Sequence, residues 1–316
     1  MREYISLPFL YLNKGVDKMK YIKSCLNYTG GKYKLLPQIM PLFPEDINMF
    51  VDLFCGGCNV GINVNAKKIV CNDIENHVIS LLNYFKNNDL DNVINNIEKK
   101  IIEYGFSETS KNGYEYYGTN SSDGVAYYNK DKYFKLRNDY NNNLNNDLLF
   151  YLTVIFSFSN QIRFNKDNKF NMPVNKRDFN DNLKNNTINF INEIHNKNIF
   201  FTNNDFKELK IEKLKEDDFV YCDPPYLITC ASYNEQDGWN ETKEKQLLKL
   251  LDSLNDNNIK FALSNVLENK GKRNEILIEW CKKYNVHYLN NSYSNCNYHA
   301  KDKSKNSTVE VLITNY

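Results

Sequence analysis

The run Phe219-Val220-Tyr221-Cys222-Asp223-Pro224-Pro225-Tyr226 follows the acidic pair Asp217-Asp218 and leads into Leu227-Ile228. Four apolar residues opened by charge and stopped by two prolines read as a buried strand that ends abruptly in a rigid loop. Asp223 then sits at the carboxyl edge of a strand, and in an open α/β sheet that edge is where ligands bind. A carboxylate, two prolines that donate no N–H and an aromatic face suit an exocyclic amino group on a planar base. The Asp223 carboxylate and a proline carbonyl can accept its two N–H bonds while the Tyr226 ring stacks on the base. A bare turn would also favour Asp and Pro, so the remaining chain has to decide between the two.

Upstream, Met49-Phe50-Val51-Asp52-Leu53-Phe54 reads as another strand, running into Cys55-Gly56-Gly57-Cys58 and then a helical stretch over Val60 to Val64. Strand, glycine turn and helix form the first unit of a nucleoside-binding doubly wound fold, in which missing side chains let a ligand approach the backbone. A second strand, Lys68-Ile69-Val70-Cys71, ends in Asn72-Asp73, and an acid roughly 20 residues beyond the glycine turn is placed to meet ribose hydroxyls. The full G-x-G-x-x-G fingerprint is absent, which favours a mononucleoside-type cofactor over a dinucleotide. Before this unit, Tyr28-Thr29-Gly30-Gly31-Lys32 opens a helix predicted over Tyr33 to Met40. Its turn offers backbone N–H groups and an ammonium to an anion such as a carboxylate, without the spacing of a phosphate loop.

Downstream, Ile199-Phe200-Phe201-Thr202 is a strand ending at Asn203-Asn204-Asp205-Phe206, Glu244 to Leu254 an amphipathic helix and Ile259 to Asn265 a strand. A helix over Asn274 to Tyr284 and the strands Val286-His287-Tyr288-Leu289 and Glu310-Val311-Leu312-Ile313 close the chain. Strands alternating with helices indicate an α/β sheet. Between His77 and about Leu152 the apolar spacing is helical, so the sheet carries an inserted helical region. The expected division is an N-terminal extension over 1–23, a catalytic unit over 24–82 and 188–316, and an insert over 83–187.

Composition bounds the class. The 316 residues are 41% hydrophobic and 14% aromatic, and no apolar stretch approaches the roughly 20 residues of a membrane span. Eight cysteines without a paired framework, and no leader pattern, point to a reducing cytoplasm. Cys55 and Cys58 have metal-like spacing but no second pair, and the four histidines, His77, His195, His287 and His299, form no ligand motif; no metal is expected. Net charge is +1, from 40 basic and 39 acidic residues, so any nucleic-acid surface must be local. That local face lies in the insert. Phe158-Ser159-Asn160-Gln161-Ile162-Arg163-Phe164 and Phe170-Asn171-Met172-Pro173-Val174-Asn175-Lys176-Arg177 flank the turn Asn165-Lys166-Asp167-Asn168-Lys169 and read as a β-hairpin. It concentrates amides and cations that reach phosphates and base edges.

Taken in order, Tyr-Thr-Gly-Gly-Lys, Asp-Leu-Phe-Cys-Gly-Gly, Asn-Asp, a basic insert and Asp-Pro-Pro-Tyr resemble the Dam-type (D12 class) DNA adenine methyltransferases, most closely the short Dam enzymes of T-even bacteriophages. The resemblance runs from about Tyr28 to the C-terminus and includes Asp218 to Thr229, Leu250 to Asp256 and Leu263 to Glu268. It implies a Rossmann-like S-adenosylmethionine-dependent methyltransferase sheet with an inserted target-recognition domain. The implied reaction is methyl transfer from S-adenosylmethionine to N6 of adenine in duplex DNA, usually within GATC, on a base flipped out of the helix. Carried over by position, Tyr28, Lys32, Phe54, Gly56, Asp73, Phe206 and Asp223 would hold the cofactor, and Asp223, Pro224, Pro225 and Tyr226 the target base. Arg137, Ser159, Asn160, Gln161, Arg163, Pro173 and Arg177 would contact DNA. The sequence departs from the phage enzymes at Gln161, where those carry an apolar wedge, and at Asn175, where they carry glycine. Residues 1–23 have no counterpart. A monomer in solution that could pair on DNA is expected. Competing readings are an RNA or protein-amide N-methyltransferase and a non-catalytic DNA-binding regulator on the same scaffold.

Overall fold

A computed structural model describes residues 21–229, 238–290 and 308–316. Residues 1–20, most of the expected extension, and His299 lie outside it.

Strands β1 (Met49–Asp52), β2 (Lys68–Asn72), β3 (Ile199–Thr202), β4 (Phe219–Cys222), β5 (Lys260–Asn269), β6 (Lys272–Arg273), β7 (Asn285–Leu289) and β8 (Thr308–Thr314) form one sheet in the order β3-β2-β1-β4-β5-β8-β7, with β6 on β5. The first five in that order run parallel, while β8 is antiparallel to both β5 and β7. The chain moves outward from β1 to β2 and β3, then returns to place β4 on the other side of β1. The crevice between β1 and β4 is therefore the topological switch point, the place where such sheets bind ligands.

Strand β4 is buried along its length, as a run of apolar residues covered on both faces must be. Its period-two alternation splits it between two cores: Phe219 and Tyr221 pack with Phe50 and Ala262, whereas Val220 and Cys222 pack with Val51, Phe261 and Leu263. The acidic pair ahead of it has a structural task. Buried Asp218 accepts from Asn48 Nδ2 at 2.9 Å, Met49 N at 3.0 Å and Lys215 N at 2.9 Å, which ties the starts of β1 and β4 together.

Between β2 and β3 lie the helices Asn76–Asn87, Leu90–Tyr104, Ala126–Asn142, Asp147–Ile155 and Asp181–Asn196. Their apolar stripes, including Leu81, Phe85, Val93, Ile97 and Ile101, join the same core that covers one face of the sheet. Asn180 caps the last of them by accepting from Leu183 N at 3.0 Å. Among the described residues no helix is long and apolar enough to cross a membrane.

Three local expectations are corrected. No helix covers Val60 to Val64; the segment is a string of turns, because Cys58 has φ 62° and Gly61 abuts Cys71, where a Cβ would come within 2.3 Å of its sulfur. The predicted helix over Tyr33 to Met40 is a short α-turn, Leu36–Ile39, between 3-10 turns Tyr33–Leu35 and Met40–Leu42; prolines 37 and 41 stand at the early positions that they tolerate. The helix expected to Tyr284 is α only over Glu275–Trp280 and tightens to 3-10 over Cys281–Lys283.

The basic segment is a hairpin in outline only. Its arms meet at the bridges Ser157↔Val174 and Phe164↔Phe170, without continuous strands. The turn closes through Asn165 N to Lys169 O at 2.9 Å, but Ser159 and Asn160, at φ 55° and 53°, form a 3-10 turn that interrupts the first arm.

Candidate active site

A cavity of about 740 Å³ opens at the carboxyl ends of β1 and β4. Every expected cofactor and base position, Tyr28, Lys32, Phe54, Gly56, Asp73, Phe206, Asp223, Pro224, Pro225 and Tyr226, lines it. None of Arg137, Ser159, Asn160, Gln161, Arg163, Pro173 and Arg177 does, although Asn168 at the tip of the hairpin turn reaches the wall.

One end of the cavity is built by the glycine turn. Gly56 has φ 47°, and a Cβ there would fall 2.7 Å from the Tyr28 ring, so the ring rests directly on the backbone of the turn. Gly56 N donates to Asp73 Oδ2 at 2.8 Å and Glu75 N to Asp73 Oδ1 at 2.9 Å, which aims the carboxylate at the end of β2 across the turn. Burial raises the Asp73 carboxyl above its ordinary range, and these backbone donors oppose that. Phe54, Phe206 and Trp239 form an aromatic wall, with centroids 5.4 to 5.8 Å apart.

The other end holds the charges. Lys32, only 4% exposed, places Nζ 2.8 Å from Asp223 Oδ2, 2.8 Å from Gly30 O and 3.8 Å from Glu310 Oε1. The ammonium read from the sequence as an anion site thus has protein carboxylates within reach. It also stands 5.1 Å from the centre of the Tyr226 ring. The Tyr226 hydroxyl donates to Asp223 Oδ1 at 2.9 Å and has Glu310 Oε1 at 3.3 Å. Burial raises the Asp223 carboxyl; Lys32 counteracts by charge and hydrogen bond, Glu310 adds repulsion, and the Tyr226 hydroxyl lowers it again. The Tyr226 hydroxyl is pushed well above its usual range, first by burial and then by the Asp223 charge, so it remains a donor.

Sequence reasoning missed Trp239, Asp52 and Glu310. Asp52 is buried beside Asp223, with Oδ2 accepting from Gly61 N at 3.2 Å and Oδ1 buried without a hydrogen-bond partner in the structure. Its carboxyl is raised well above the ordinary value, by burial first and by Asp223 second. Glu310 could have been flagged as an acid inside the otherwise apolar run Val309 to Ile313. Trp239 carried no signal beyond its rarity.

The wall, the glycine backbone and the Asp73 carboxylate fit an adenosine, since an aromatic slot meets a base and a carboxylate accepts from ribose hydroxyls. The orphaned Asp52 oxygen beside the same cavity suits a donor on the remainder of S-adenosylmethionine. Among the described residues no group of three or more His, Cys, Asp or Glu side chains could hold a metal ion. Cys58 instead lies with its sulfur 3.5 Å from that of Cys71.

The residues expected to contact DNA are organised differently. Arg163 Nε and Nη2 donate to Asn171 Oδ1 at 2.7 Å and Asn171 O at 3.1 Å, and Arg137 Nη1 to Met172 O at 3.0 Å, so both cations brace the second arm of the hairpin. Ser159, Gln161, Pro173 and Arg177 are exposed. Asn160 turns inward, donating to Ile155 O at 2.6 Å, and Arg177 Nη1 donates to the Tyr114 hydroxyl at 2.6 Å. His77 stacks on Phe164, centroids 4.4 Å apart, and bonds the Tyr140 hydroxyl at 2.9 Å, so it is a satisfied core histidine.

Type II methyltransferase M.FokI of Planomicrobium okeanokoites is 44% identical over 302 residues, covering 94% of this chain and 43% of the relative. Modification methylase StsI of Streptococcus sanguinis is 43% identical over 305 residues, with the same coverage. A DNA adenine methylase of Haemophilus influenzae is 26% identical over 209 residues, 66% of this chain and 65% of the relative. The chain spans less than half the length of the first two. These relatives are similar to it without placing it in the phage subgroup. The model of D12 class N6 adenine-specific DNA methyltransferases matches residues 28–295, and the chain belongs to that family.

Proposed function

We propose that the chain transfers a methyl group from S-adenosylmethionine to the N6 amino group of adenine in duplex DNA, as a site-specific modification methylase. The observation that carries this reading is the Asp223 carboxylate, set between Lys32 and Tyr226 in the same cavity as the glycine turn, Asp73 and the Phe54–Phe206–Trp239 wall. Cofactor and base would meet across one space, and most of the rate would come from that placement.

Tyr28, Phe54, Gly56, Asp73 and Phe206 would hold S-adenosylmethionine, which when bound supplies a methyl group on a sulfonium for the amino nitrogen to attack. The work of the chain is to prepare the amine. Extruding a nucleotide from a duplex costs a few kcal/mol, and stacking on the Tyr226 ring, roughly 1 to 3 kcal/mol, recovers part of it. Asp223 accepts one amino N–H and the Pro224 carbonyl the other, which draws the nitrogen lone pair out of conjugation with the ring. Neither Pro224 nor Pro225 presents an N–H that would compete. The new carbon–nitrogen bond would form as the methyl–sulfur bond breaks, its electron pair returning to sulfur, and would leave the nitrogen with an excess proton that departs afterwards.

Residues 83–187 would supply target recognition through the hairpin and its bracing cations, with Ser159, Gln161, Pro173 and Arg177 turned outward. GATC is the target that the Dam-type resemblance brings; Gln161 and Asn175 stand where that likeness departs. The deciding experiment mixes the full chain with methyl-labelled cofactor and duplexes that do or do not contain GATC, followed by sequencing to map modified adenines. Label is expected at adenine N6, and Asp223→Ala is expected to abolish transfer while DNA binding persists. Unchanged turnover in that variant would end the mechanism, and label in RNA or protein alone would replace the substrate.

A further inference from the structure

Glu310 stands behind the cavity lining, and its place is unusual. It lies on β8 opposite Val266 of β5 and Leu289 of β7, within a strand whose next three residues are fully buried and apolar, and it is itself only 2% exposed. Burying a carboxyl in such a sheet is costly unless a specific arrangement compensates it. Here Oε1 faces two groups that also serve Asp223: the Tyr226 hydroxyl at 3.3 Å and Lys32 Nζ at 3.8 Å.

A phenol has one proton to donate. The Tyr226 hydroxyl has two carboxylate oxygens within reach, Asp223 Oδ1 at 2.9 Å and Glu310 Oε1 at 3.3 Å, and it can serve only one fully at a time. While it serves Asp223, both Asp223 oxygens have strong donors, Tyr226 on Oδ1 and Lys32 on Oδ2. Each such bond draws electron density from the carboxylate and weakens its pull on a further donor. An incoming amino group therefore competes with the tyrosine for Oδ1.

We propose that Glu310 is a positioning residue for methyl transfer: it takes over the Tyr226 hydroxyl as the target amino group arrives on Asp223 Oδ1, freeing that oxygen while keeping the Tyr226 ring in place. This rests on the proposed amino-methyltransferase reading and deepens it. Glu310 touches neither substrate nor cofactor in this scheme. It acts through Tyr226.

The test is a double-mutant comparison on the full chain, using methyl-labelled S-adenosylmethionine and plasmid DNA from a host without adenine methylation. Single-turnover transfer rates are normalised to cofactor-binding sites so that unfolded material does not count. Glu310→Gln keeps the volume and removes the strong acceptor; Glu310→Asp withdraws it by one methylene. Each is expected to slow transfer about tenfold, the order of one charge-assisted hydrogen bond, with cofactor and DNA affinities little changed. In a Tyr226→Phe background, which has no hydroxyl to hand over, the same substitutions are expected to cost less than about twofold. Equal losses in both backgrounds, no loss in the parent, or a loss confined to cofactor affinity would overturn the inference while parent activity stands. No transfer to any DNA by the unaltered chain would overturn the underlying reading, and this inference with it.

Discussion

The Lys32 ammonium lies 2.8 Å from the Asp223 carboxylate, joining the first turn of the organised chain to the loop after β4. This contact crosses the cavity between the positions expected to face cofactor and base, and its partners are nearly buried, so it is screened far less than a surface pair. Burial holds the Asp223 carboxyl high, and Lys32 is the first influence that pulls it back. In Lys32→Met the carboxyl should therefore rise further. Transfer needs an unprotonated acceptor, so the acid limb of the rate profile should move to higher pH. Single-turnover rates across the pH range check this. An unmoved limb with weakened cofactor binding would assign Lys32 to the cofactor alone.

At Gly56 both the φ of 47° and the Tyr28 ring, 2.7 Å from where a Cβ would stand, exclude a side chain. Gly56→Ala should impose strain of about 1–3 kcal/mol, lower the thermal midpoint and weaken S-adenosylmethionine binding about tenfold, since ring and turn cannot keep their contact. Calorimetric titration and thermal denaturation measure the two effects. Unaltered affinity would place the cofactor away from this turn.

For the hairpin, the paired bonds from Arg163 to Asn171 tie its arms together. Arg163→Ala should degrade discrimination between target and non-target duplexes while cofactor affinity stays near that of the parent. If all sequences lose affinity equally, with a shallower salt dependence, Arg163 is a phosphate contact instead.

Glu75 lines the same cavity. Its carboxyl is pushed up from 4.5 to about 7, chiefly by burial, with the His77 N–H opposing and the Asp73 charge adding. The folded chain then holds a proton that the unfolded chain has released. The associated stability is fully present below pH 4.5 and is lost as pH rises through about 7. Glu75→Gln, which still accepts from His77 N, should melt with the parent at low pH and above it near about pH 8. A gap of the same size at both ends would refute the assignment.

Much of this molecule was legible before its tertiary structure. The strand ending in Asp223-Pro224-Pro225-Tyr226, the β1 strand running into Gly56, and Asp73 at the end of β2 are local patterns: apolar runs close in length to strands, stopped by proline, glycine or acid. Such signals are written in neighbouring residues. Their order along the chain carried the resemblance to the family, and the ten cofactor and base positions that it implied all line the cavity. Local reasoning failed where long-range packing overrode it, as at Val60 to Val64, where Gly61 sits against the Cys71 sulfur and the chain turns instead of winding into a helix. It also could not bring Trp239 to Phe54 and Phe206, or place Glu310 beside Lys32 and the Tyr226 hydroxyl. Those contacts join residues distant in sequence through the order of strands in a sheet, and only a folded sheet, with β8 laid antiparallel against β5, determines which buried acid faces which donor.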